Sequence, residues 1–351
     1  MSRTLASIQR ITALNPIEGA DAIEVADVLG WKVVVKKGEY EVGDLAVYLE
    51  IDSVPPDEEQ YRFLWKFAEQ RPNNFRVKTI KLRGQISQGI LFPLRADRSP
   101  YIGNAHRWWM SDEFIVEESE DVTDRLGITK YEAPLPRGSD DIEGQFFDGV
   151  PKTDEERVQS ATGLKHLEAL QGRPYYITVK CDGASMTVAK RESDFSGEVT
   201  VASRNYRLAD VEGSAYWRAA RRNNDALIDL VVDQPWLALQ GELVGPGIQN
   251  NRLGLSDHQC LVFNIFDRKT GVYWSRESME VEALTWGFEL VPLADQGSSF
   301  NYDADDMLYM AEGKYEGTKN EREGIVIRNN DDGPFTSFKA ISNRYLLKGG
   351  E

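Results

Sequence analysis

Residues 179–186, VKCDGASM, contain a lysine whose position suits covalent chemistry. Lys180 ends the β-branched and aromatic run PYYITVK, which predicts a strand, and Asp182-Gly183 follow closely. One interpretation is an Asp-Gly turn that closes a hairpin, with Lys180 an ordinary surface charge. The other is a strand end that presents an amine to a phosphate, because a lysine that has lost its proton is a nucleophile. The choice depends on residues elsewhere in the chain.

Further polar and aromatic segments follow Lys180 along the sequence. They are SRN with Arg204, LQGELVG with Glu242, FNIFD with Phe263, EGIVIR with Glu323, and SFKAIS with Lys339. Each has an ordinary interpretation by itself: the acids as strand-end or turn charges, Phe263 as a core aromatic and Lys339 as a surface lysine. Their occurrence together, in this order, is more specific than any single segment.

In this order the segments resemble the covalent nucleotidyltransferase superfamily, which includes polynucleotide ligases and capping guanylyltransferases. The resemblance implies that Lys180, the lysine of KCDG, takes AMP from ATP as a phosphoramidate. It also implies that Lys339 neutralises the α-phosphate, that Phe263 stacks on the adenine, and that Arg204 positions phosphates or the end to be joined. Many members carry two lysines spaced K-x-K in the last motif. Here SFKAI has one, so which of the two Lys339 represents is open, and Arg328 or a metal ion would share the neutralisation.

The same resemblance implies a divalent metal site that takes Mg²⁺ or Mn²⁺. Its candidate residues are Asp182, Glu242 and Glu323, acting through water molecules, because Mg²⁺ keeps several waters and is often held by one or two carboxylates plus phosphate oxygens. Glu242 is alternatively a ribose contact. The sequence contains no GxxxxGK[ST] or GxGxxG segment, so side chains rather than a glycine-rich loop would bind the phosphates.

The secondary-structure pattern predicts an α+β protein with two domains. In residues 1–100, runs such as WKVVVKK, LAVYLEI, FRVKTIKL and GILFPL alternate with Gly, Asp and Pro clusters, which predicts a small β-barrel. KLRGQISQGILFPL resembles the late strands of OB-fold tRNA-binding modules. Residues 101–150 are expected to form a linker or peripheral segment. Residues 151–351 are expected to form a mostly antiparallel α+β nucleotidyltransferase domain.

Several segments of the second domain predict helices. Thr153-Asp154-Glu155-Glu156 has the pattern of a capping box, so we expect a helix that continues through ERVQS and a short one through LKHLEAL. Further helices are expected near SAYWRAARRNNDALIDLV, SRESMEVEALTWG and NYDADDMLYMAEG.

The order of the domains narrows the resemblance to one group. Capping enzymes and ATP-dependent DNA ligases place an OB domain after the last motif, whereas this sequence ends 12 residues after Lys339 (351 − 339). A barrel placed first, with GITKYEAPLP and PKTDEERVQ, resembles the ATP-dependent RNA ligases found in Deinococcus and Naegleria. That group implies sealing of 3′-OH and 5′-phosphate ends, at nicks whose 3′-OH strand is RNA, and a role in RNA repair.

Two alternatives to an RNA ligase remain. One is another nucleotidyltransferase, a guanylyltransferase or a DNA ligase, which the domain order disfavours. The other is an RNA-binding protein without catalysis. The presence of Lys180, Asp182, Glu242 and Glu323 together argues against it, because an inactive site would be expected to lose some of them.

Charge and composition limit the partners. The net charge of −16 argues against non-specific coating of nucleic acid. Residues 62–83, RFLWKFAEQRPNNFRVKTIKLR, have the opposite character, with seven Lys or Arg, one Glu and interleaved Phe and Trp. They predict either a local RNA-binding surface or a strand and loop with solvated charges. No apolar run is long enough for a membrane span or a signal peptide, so we expect an intracellular, cytoplasmic protein with no membrane or obligate protein partner.

Overall fold

The computed structural model describes residues 4–64, 76–94, 117–131 and 141–348. The chain divides into two compact units. The first comprises residues 1–134 and 159–161, and the second comprises residues 135–158 and 162–351. The boundary between residues 134 and 135 falls inside the segment that the sequence predicts as a linker.

The described part of the first unit contains nine strands and a 3-10 helix. They are β1 (Ala6–Pro16), β2 (Ile23–Val28), β3 (Trp31–Lys36), β4 (Leu45–Leu49), β5 (Ser53–Val54), the 3-10 helix (Glu59–Leu64), β6 (Ile80–Leu82), β7 (Gln85–Ser87), β8 (Ile90–Pro93) and β9 (Thr129–Lys130). Five form an antiparallel sheet in the order β3-β2-β1-β4-β8, and two short pairs, β5–β9 and β6–β7, accompany it.

Alternating hydrophobicity explains these strands. In β3 the side chains of Trp31, Val33 and Val35 are buried, whereas Lys32 and Lys36 are exposed and Val34 is half-buried. The predicted strand FRVKTIKL is shorter than expected, since β6 contains only its last three residues. Ahead of β6, the backbone of Val77 hydrogen-bonds to the loop around β5 instead of continuing the β6–β7 ladder.

The second unit combines strands and helices. Its strands are β10 (Ile142–Gln145), β11 (Glu156–Arg157), β12 (Tyr175–Lys180), β13 (Ala184–Lys190), β14 (Val199–Ala202), β15 (Tyr206–Leu208), β16 (Leu237–Val244), β17 (Gln259–Asp267), β18 (Val272–Tyr273), β19 (Glu289–Leu290), β20 (Leu293–Gly297), β21 (Gly324–Asn329) and β22 (Ser337–Ile341). Its helices are α1 (Ala161–Leu170), α2 (Ala215–Ala220), α3 (Arg222–Asp233), α4 (Arg276–Trp286), α5 (Ala304–Ala311) and α6 (Asn343–Leu347).

The strands of the second unit form two sheets. The larger has eight strands, in the order β10-β15-β14-β13-β16-β17-β18 with β19 also paired to β17. The smaller has five, in the order β11-β22-β21-β12-β20. Most pairs are antiparallel, and β11–β22 and β17–β19 are parallel. One apolar core joins the larger sheet to α2, α3 and α4, and a second joins the smaller sheet to α1 and α5.

The prediction of a helix that begins at the Thr153 capping box and continues through ERVQS is wrong. Residues 151–155 form no helix or strand, and Glu156-Arg157 form β11, which adds to the smaller sheet. The acids expected in a first helical turn form tertiary ion pairs instead, Asp154 with Arg204 and Glu155 with Arg328. The helix predicted through LKHLEAL is confirmed as α1.

The other predicted helices are confirmed, with one interruption. Residues 223–225 have positive φ angles of 55, 56 and 62°, which break the helix expected through SAYWRAARRNNDALIDLV. Two of the three are Asn, a residue that tolerates this left-handed backbone. No helix among the described residues has the length and apolar character needed to cross a membrane.

Candidate active site

Lys180 is the last residue of β12, and the Asp182-Gly183 step leads from one sheet to the other. β12 pairs with β20 and β21, whereas β13 pairs with β14 and β16; all residues of β12 and β13 are described, and the two strands share no ladder. The hairpin interpretation is therefore wrong. A Cβ atom on Gly183 would lie 2.3 Å from the carbonyl oxygen of Leu243 and 2.7 Å from Cγ of Glu242. Glycine thus lets the chain leaving Lys180 pass directly beside Glu242.

Glu323 holds the Lys180 ammonium. Lys180 Nζ lies 2.7 Å from Glu323 Oε1, and the two side chains are 20% and 8% exposed. Gly324, the next residue, pairs with Lys180 across the sheet and has φ +158°; a Cβ atom there would lie 2.1 Å from the carbonyl oxygen of Ala340. This close packing fixes the position of Glu323 beside the lysine.

The surroundings of Lys180 are anionic. Burial lowers the pKa of Lys180, but the charges of Glu323 and Glu242 and the hydrogen bond to Glu323 outweigh burial and raise the pKa above its ordinary value. Glu242 lies on β16 opposite Ser185 of β13. Burial raises the pKa of Glu242 to about 8, although Lys180 opposes that shift. Lys180 therefore rests as an ammonium ion, and a bound cation would favour the ionised form of Glu242.

Asp182 is paired with an arginine that the sequence did not indicate. Arg252 Nε lies 2.9 Å from Asp182 Oδ2, and both side chains are nearly buried. The guanidinium also lies over the Tyr345 ring, 4.8 Å from its centroid. Arg252 follows QNN in a loop, and an arginine in a polar loop carries no sequence signal for this role.

The three predicted metal residues supply carboxylate oxygens, which suit Mg²⁺ and Mn²⁺. Among the described residues, no group of three or more His, Cys, Asp or Glu side chains is arranged to hold a metal ion directly. Glu323 contacts Lys180 and Asp182 contacts Arg252, so two of the carboxylates already have cationic neighbours. The arrangement fits an ion held through water molecules better than one bound directly.

Phe263 is the extra residue of a β-bulge. In the β16–β17 ladder Gln240 pairs with Asn264 and Gly241 pairs with Val262, which leaves Phe263 without an opposite residue. Bulges of this kind redirect a side chain. The Phe263 ring is partly buried, and the Arg328 guanidinium of the smaller sheet lies 5.6 Å from its centroid. Phe263 thus lies where the two sheets face each other.

Arg328 braces the space between the sheets. It is 1% exposed, and its Nη2 atom lies 2.8 Å from Oε1 of Glu155. Its Nη1 atom lies 3.4 Å from the Thr178 hydroxyl of β12. Of the two roles that the sequence left open, bracing agrees better with these contacts than phosphate binding does.

Lys339 and Lys180 lie on the same face of the smaller sheet. Lys180 pairs with Gly324, and Val326, two residues further along β21, pairs with Lys339. Residues two apart in a strand share a face, and so do paired residues. Arg157 of β11 pairs with Lys339 on that face and is 2% exposed. Arg157 lies in the segment expected to be helical, so no sequence pattern pointed to it as a site residue.

Arg204 is placed at the turn between β14 and β15. Its side chain is 48% exposed and forms an ion pair with Asp154. Thr153, next to Asp154, has its hydroxyl oxygen 3.4 Å from that of Ser185, the residue paired with Glu242. Arg204 is therefore linked through this loop to β13, the strand whose Ser185 pairs with Glu242.

Comparisons with known proteins agree with this geometry. A family model of an OB-fold domain matches residues 5–94, and an RNA ligase model matches residues 173–341. A Naegleria gruberi RNA ligase lysine-to-methionine mutant, with AMP and Mn, is 35% identical over 99% of this chain and 100% of its own, with a TM-score of 0.84. The chain belongs to the RNA ligase family. The predicted family and the α+β fold with an N-terminal OB domain are confirmed.

Two further structures of the same relative are similar to this chain. The Naegleria gruberi RNA ligase with PPi is 36% identical over 98% of both chains, with a TM-score of 0.82. A lysine-to-alanine mutant with ATP and Mn is 36% identical over 97% of this chain and 98% of its own, with a TM-score of 0.81. A comparison with curated protein sequences found no match.

Proposed function

We propose that this RNA ligase uses ATP and Mg²⁺ or Mn²⁺ to seal 3′-OH and 5′-phosphate ends through a lysyl-AMP on Lys180. The observation that carries the proposal is the placement of Lys180. Lys180 is the last residue of β12, and its Nζ atom lies 2.7 Å from Glu323. It lies on the same face of the sheet as Lys339, and the chain that follows it runs beside Glu242. Structures of the Naegleria relative with ATP, AMP and Mn support the choice of nucleotide and metal.

In the first step Lys180 Nζ attacks the α-phosphorus of ATP. The N–P bond forms, the bond to the pyrophosphate oxygen breaks, and the new phosphoramidate nitrogen releases one proton to solvent. Before the attack, the resting Lys180 ammonium must already have lost one proton to become a nucleophilic amine. Glu323 is in contact with the ammonium and is placed to accept that proton. Lys339 and Arg157, paired on the same face, would compensate the negative charge of the phosphates. Phe263 would stack on the adenine.

In the second step an oxygen of the 5′-phosphate attacks the phosphorus of the lysyl-AMP and releases Lys180, which takes up two protons and returns to an ammonium ion. The product is a 5′–5′ pyrophosphate. In the third step the 3′-OH loses its proton as its oxygen attacks the 5′-phosphate, and AMP leaves. An adenylate leaving group makes a phosphate monoester reactive. A 2′-OH beside the 3′-OH offers a donor and an acceptor that DNA lacks, which would favour an RNA end.

A divalent cation, when bound, supplies positive charge that lowers the pKa of the Lys180 amine and neutralises the α-phosphate. Asp182, Glu242 and Glu323 would hold it through water molecules. Arg252 fixes Asp182 from the other side and Lys180 lies against Glu323, so these carboxylates are already positioned around the reacting amine.

The β6–β7 hairpin contains the last four residues of the basic segment, and we assign it to RNA binding. Residues 65–75, which carry Trp65, Lys66, Phe67, Arg71 and Phe75, lie outside the described residues. Arg83 and Gly84 form the two-residue turn with φ angles of +48 and +85°, so Arg83 occupies a strained backbone position at the tip. Lys81 and Arg83 are exposed, and neither side chain forms an ion pair with a described residue. Free cations in a chain of net charge −16 suit phosphates.

The double variant Lys81→Gln, Arg83→Gln tests the hairpin. We expect weaker binding to a nicked RNA duplex, with the slope of log K against log salt reduced by about 1.8, or about 0.9 for each lost phosphate contact. The matched control is Arg10→Gln, Arg125→Gln, which removes the same charge from cations already paired with Glu118 and Glu120. Equal salt slopes for the two double variants would exclude the hairpin as a phosphate-binding element.

Sealing assays test the reaction itself. The substrates are nicked duplexes with RNA or DNA on each side of the nick, incubated with ATP or GTP and Mg²⁺. We expect ATP-dependent sealing when the 3′-OH strand ends in RNA. Equal sealing of an all-DNA nick would contradict the RNA-end preference. Labelling of the enzyme by GTP in place of ATP would indicate a guanylyltransferase, and no labelling by either nucleotide would leave an RNA-binding role.

A further inference from the structure

One hydroxyl group connects the backbone of three candidate active-site residues. The Tyr315 hydroxyl donates to the carbonyl oxygen of Lys180 at 2.9 Å and accepts from the backbone N–H of Asp182 at 2.8 Å. It also accepts from the backbone N–H of Glu323 at 3.1 Å. A tyrosine hydroxyl has one proton and two lone pairs, so these three contacts use its full capacity.

The loop that carries Tyr315 is itself fixed. Tyr315 lies between α5 and β21, and its backbone N–H bonds to the carbonyl of Asn320 at 3.1 Å. The Asn320 amide in turn donates to the carbonyl of Arg252 at 2.7 Å. Because Arg252 pairs with the Asp182 carboxylate, this loop reaches Asp182 at both its backbone and its side chain.

The Tyr315 side chain is suited to a fixed, uncharged role. It is 6% exposed. Its hydroxyl donates a hydrogen bond to the Lys180 carbonyl oxygen, as a neutral phenol does. It contacts backbone atoms and not the reactive Nζ, so it would act on the reaction through the geometry of its neighbours.

We propose that Tyr315 is a positioning residue for adenylylation, holding Lys180, Asp182 and Glu323 in register with one another. This rests on the proposed lysyl-AMP chemistry. Lys180 and Asp182 leave β12 on a chain that must turn sharply to enter the larger sheet, while Glu323 stands before β21 of the smaller sheet. Tyr315 ties these two backbone segments at the point where they diverge. Without the hydroxyl, two N–H groups and one carbonyl lose a shared partner, and the Lys180–Glu323 pair loses its common anchor.

The test is Tyr315→Phe, which keeps the ring and removes the hydroxyl. In single-turnover labelling of the full-length protein with ATP and Mg²⁺, we expect the rate constant for lysyl-AMP formation to fall by about 10- to 100-fold, because small displacements of reacting groups carry penalties of that order. The ATP concentration for half-maximal rate should change by less than about twofold, because Tyr315 does not bind the nucleotide.

Tyr175→Phe is the matched control. Tyr175 is also nearly buried, at 5% exposed, and its hydroxyl donates to Asp295 at 2.8 Å, but its ring lies in the apolar core of the smaller sheet. Thermal midpoints of both variants measure the purely structural cost. A rate for Tyr315→Phe equal to that of Tyr175→Phe, or a loss explained by a lower folded fraction, would overturn the assignment alone. Absence of label on the wild-type protein would overturn the proposed chemistry and the assignment with it.

Discussion

The two faces of the smaller sheet in the second unit are built by the same strands and have opposite compositions. One face packs against α1 and α5 through an apolar core that includes Ile177, Ile325, Ile327, Phe338 and Ala340. The other face, which is the proposed reactive face, carries Lys180, Arg328, Lys339 and Arg157. Side chains alternate between the faces along every strand, so each strand contributes to both.

This difference shows how the fold positions its chemistry. Burial on the apolar face fixes the strands, and the strands then fix the cations and acids opposite. The residues of the reactive face are connected by specific pairs, Lys180 with Glu323 and Arg328 with Glu155. Substitutions on the reactive face should therefore reduce catalysis more than stability, and substitutions on the apolar face should do the reverse.

The largest expected effect comes from Lys180→Ala. Without the amine no lysyl-AMP forms, so ATP-dependent sealing should fall below about one-thousandth of wild type. Sealing of a nick that already carries the 5′-adenylate needs no new lysyl-AMP and should persist. The two assays are run side by side on one preparation. ATP-dependent sealing at the wild-type rate would exclude Lys180 as the nucleophile.

A smaller effect is expected from Glu323→Gln, which keeps the shape of the side chain and removes its charge. We expect lysyl-AMP formation to slow by about 100-fold, comparable to the loss of one well-placed polar group in other active sites. The pH dependence should shift as well. Glu323 raises the pKa of Lys180, so its removal lowers that pKa and moves the alkaline rise in rate to lower pH.

The measurement is the rate of adenylylation against pH for the wild type and Glu323→Gln. A shift of the curve to higher pH, or none, would contradict the assigned role of the ion pair. Glu312→Gln provides a comparison. Glu312 accepts hydrogen bonds from the Ser342 hydroxyl and the Asn343 backbone N–H at the start of α6, rather than from Lys180.

The smallest effect is expected on the apolar face. Ile327→Val removes one buried methylene, which typically lowers the free energy of unfolding by about 0.5–1.5 kcal/mol. The rate of lysyl-AMP formation should stay within about twofold of wild type, since the strand positions are kept. Denaturant titration and the adenylylation rate together check this. A loss of activity without a loss of stability would show that the two faces are not separated in this way.

The sequence indicated candidate reactive residues more readily than the residues that hold them in place. Lys180, Glu242 and Glu323 stood out because several short segments that contain them occur in the order of a known family. The neighbours that hold them did not, because Tyr315 and Arg252 act through contacts between distant loops that no local pattern encodes.

One prediction and one of the open interpretations failed for physical reasons of the same kind. The Thr153 segment has the local pattern of a capped helix, yet its acids find partners in Arg204 and Arg328, and tertiary pairing overrides local propensity. The Asp182-Gly183 turn has the pattern of a hairpin, but Gly183 is needed for close passage beside β16. The bulge that frees Phe263 depends on a register shift that the sequence does not reveal.

The most direct test of the central claim is the site of covalent modification. Full-length protein is incubated with ATP and Mg²⁺, its intact mass is measured, and the modified peptide is sequenced by mass spectrometry, with GTP and Lys180→Ala as controls. We expect one AMP per chain, on Lys180, from ATP and not from GTP. No adduct, or an adduct on any residue other than Lys180, would contradict the assignment.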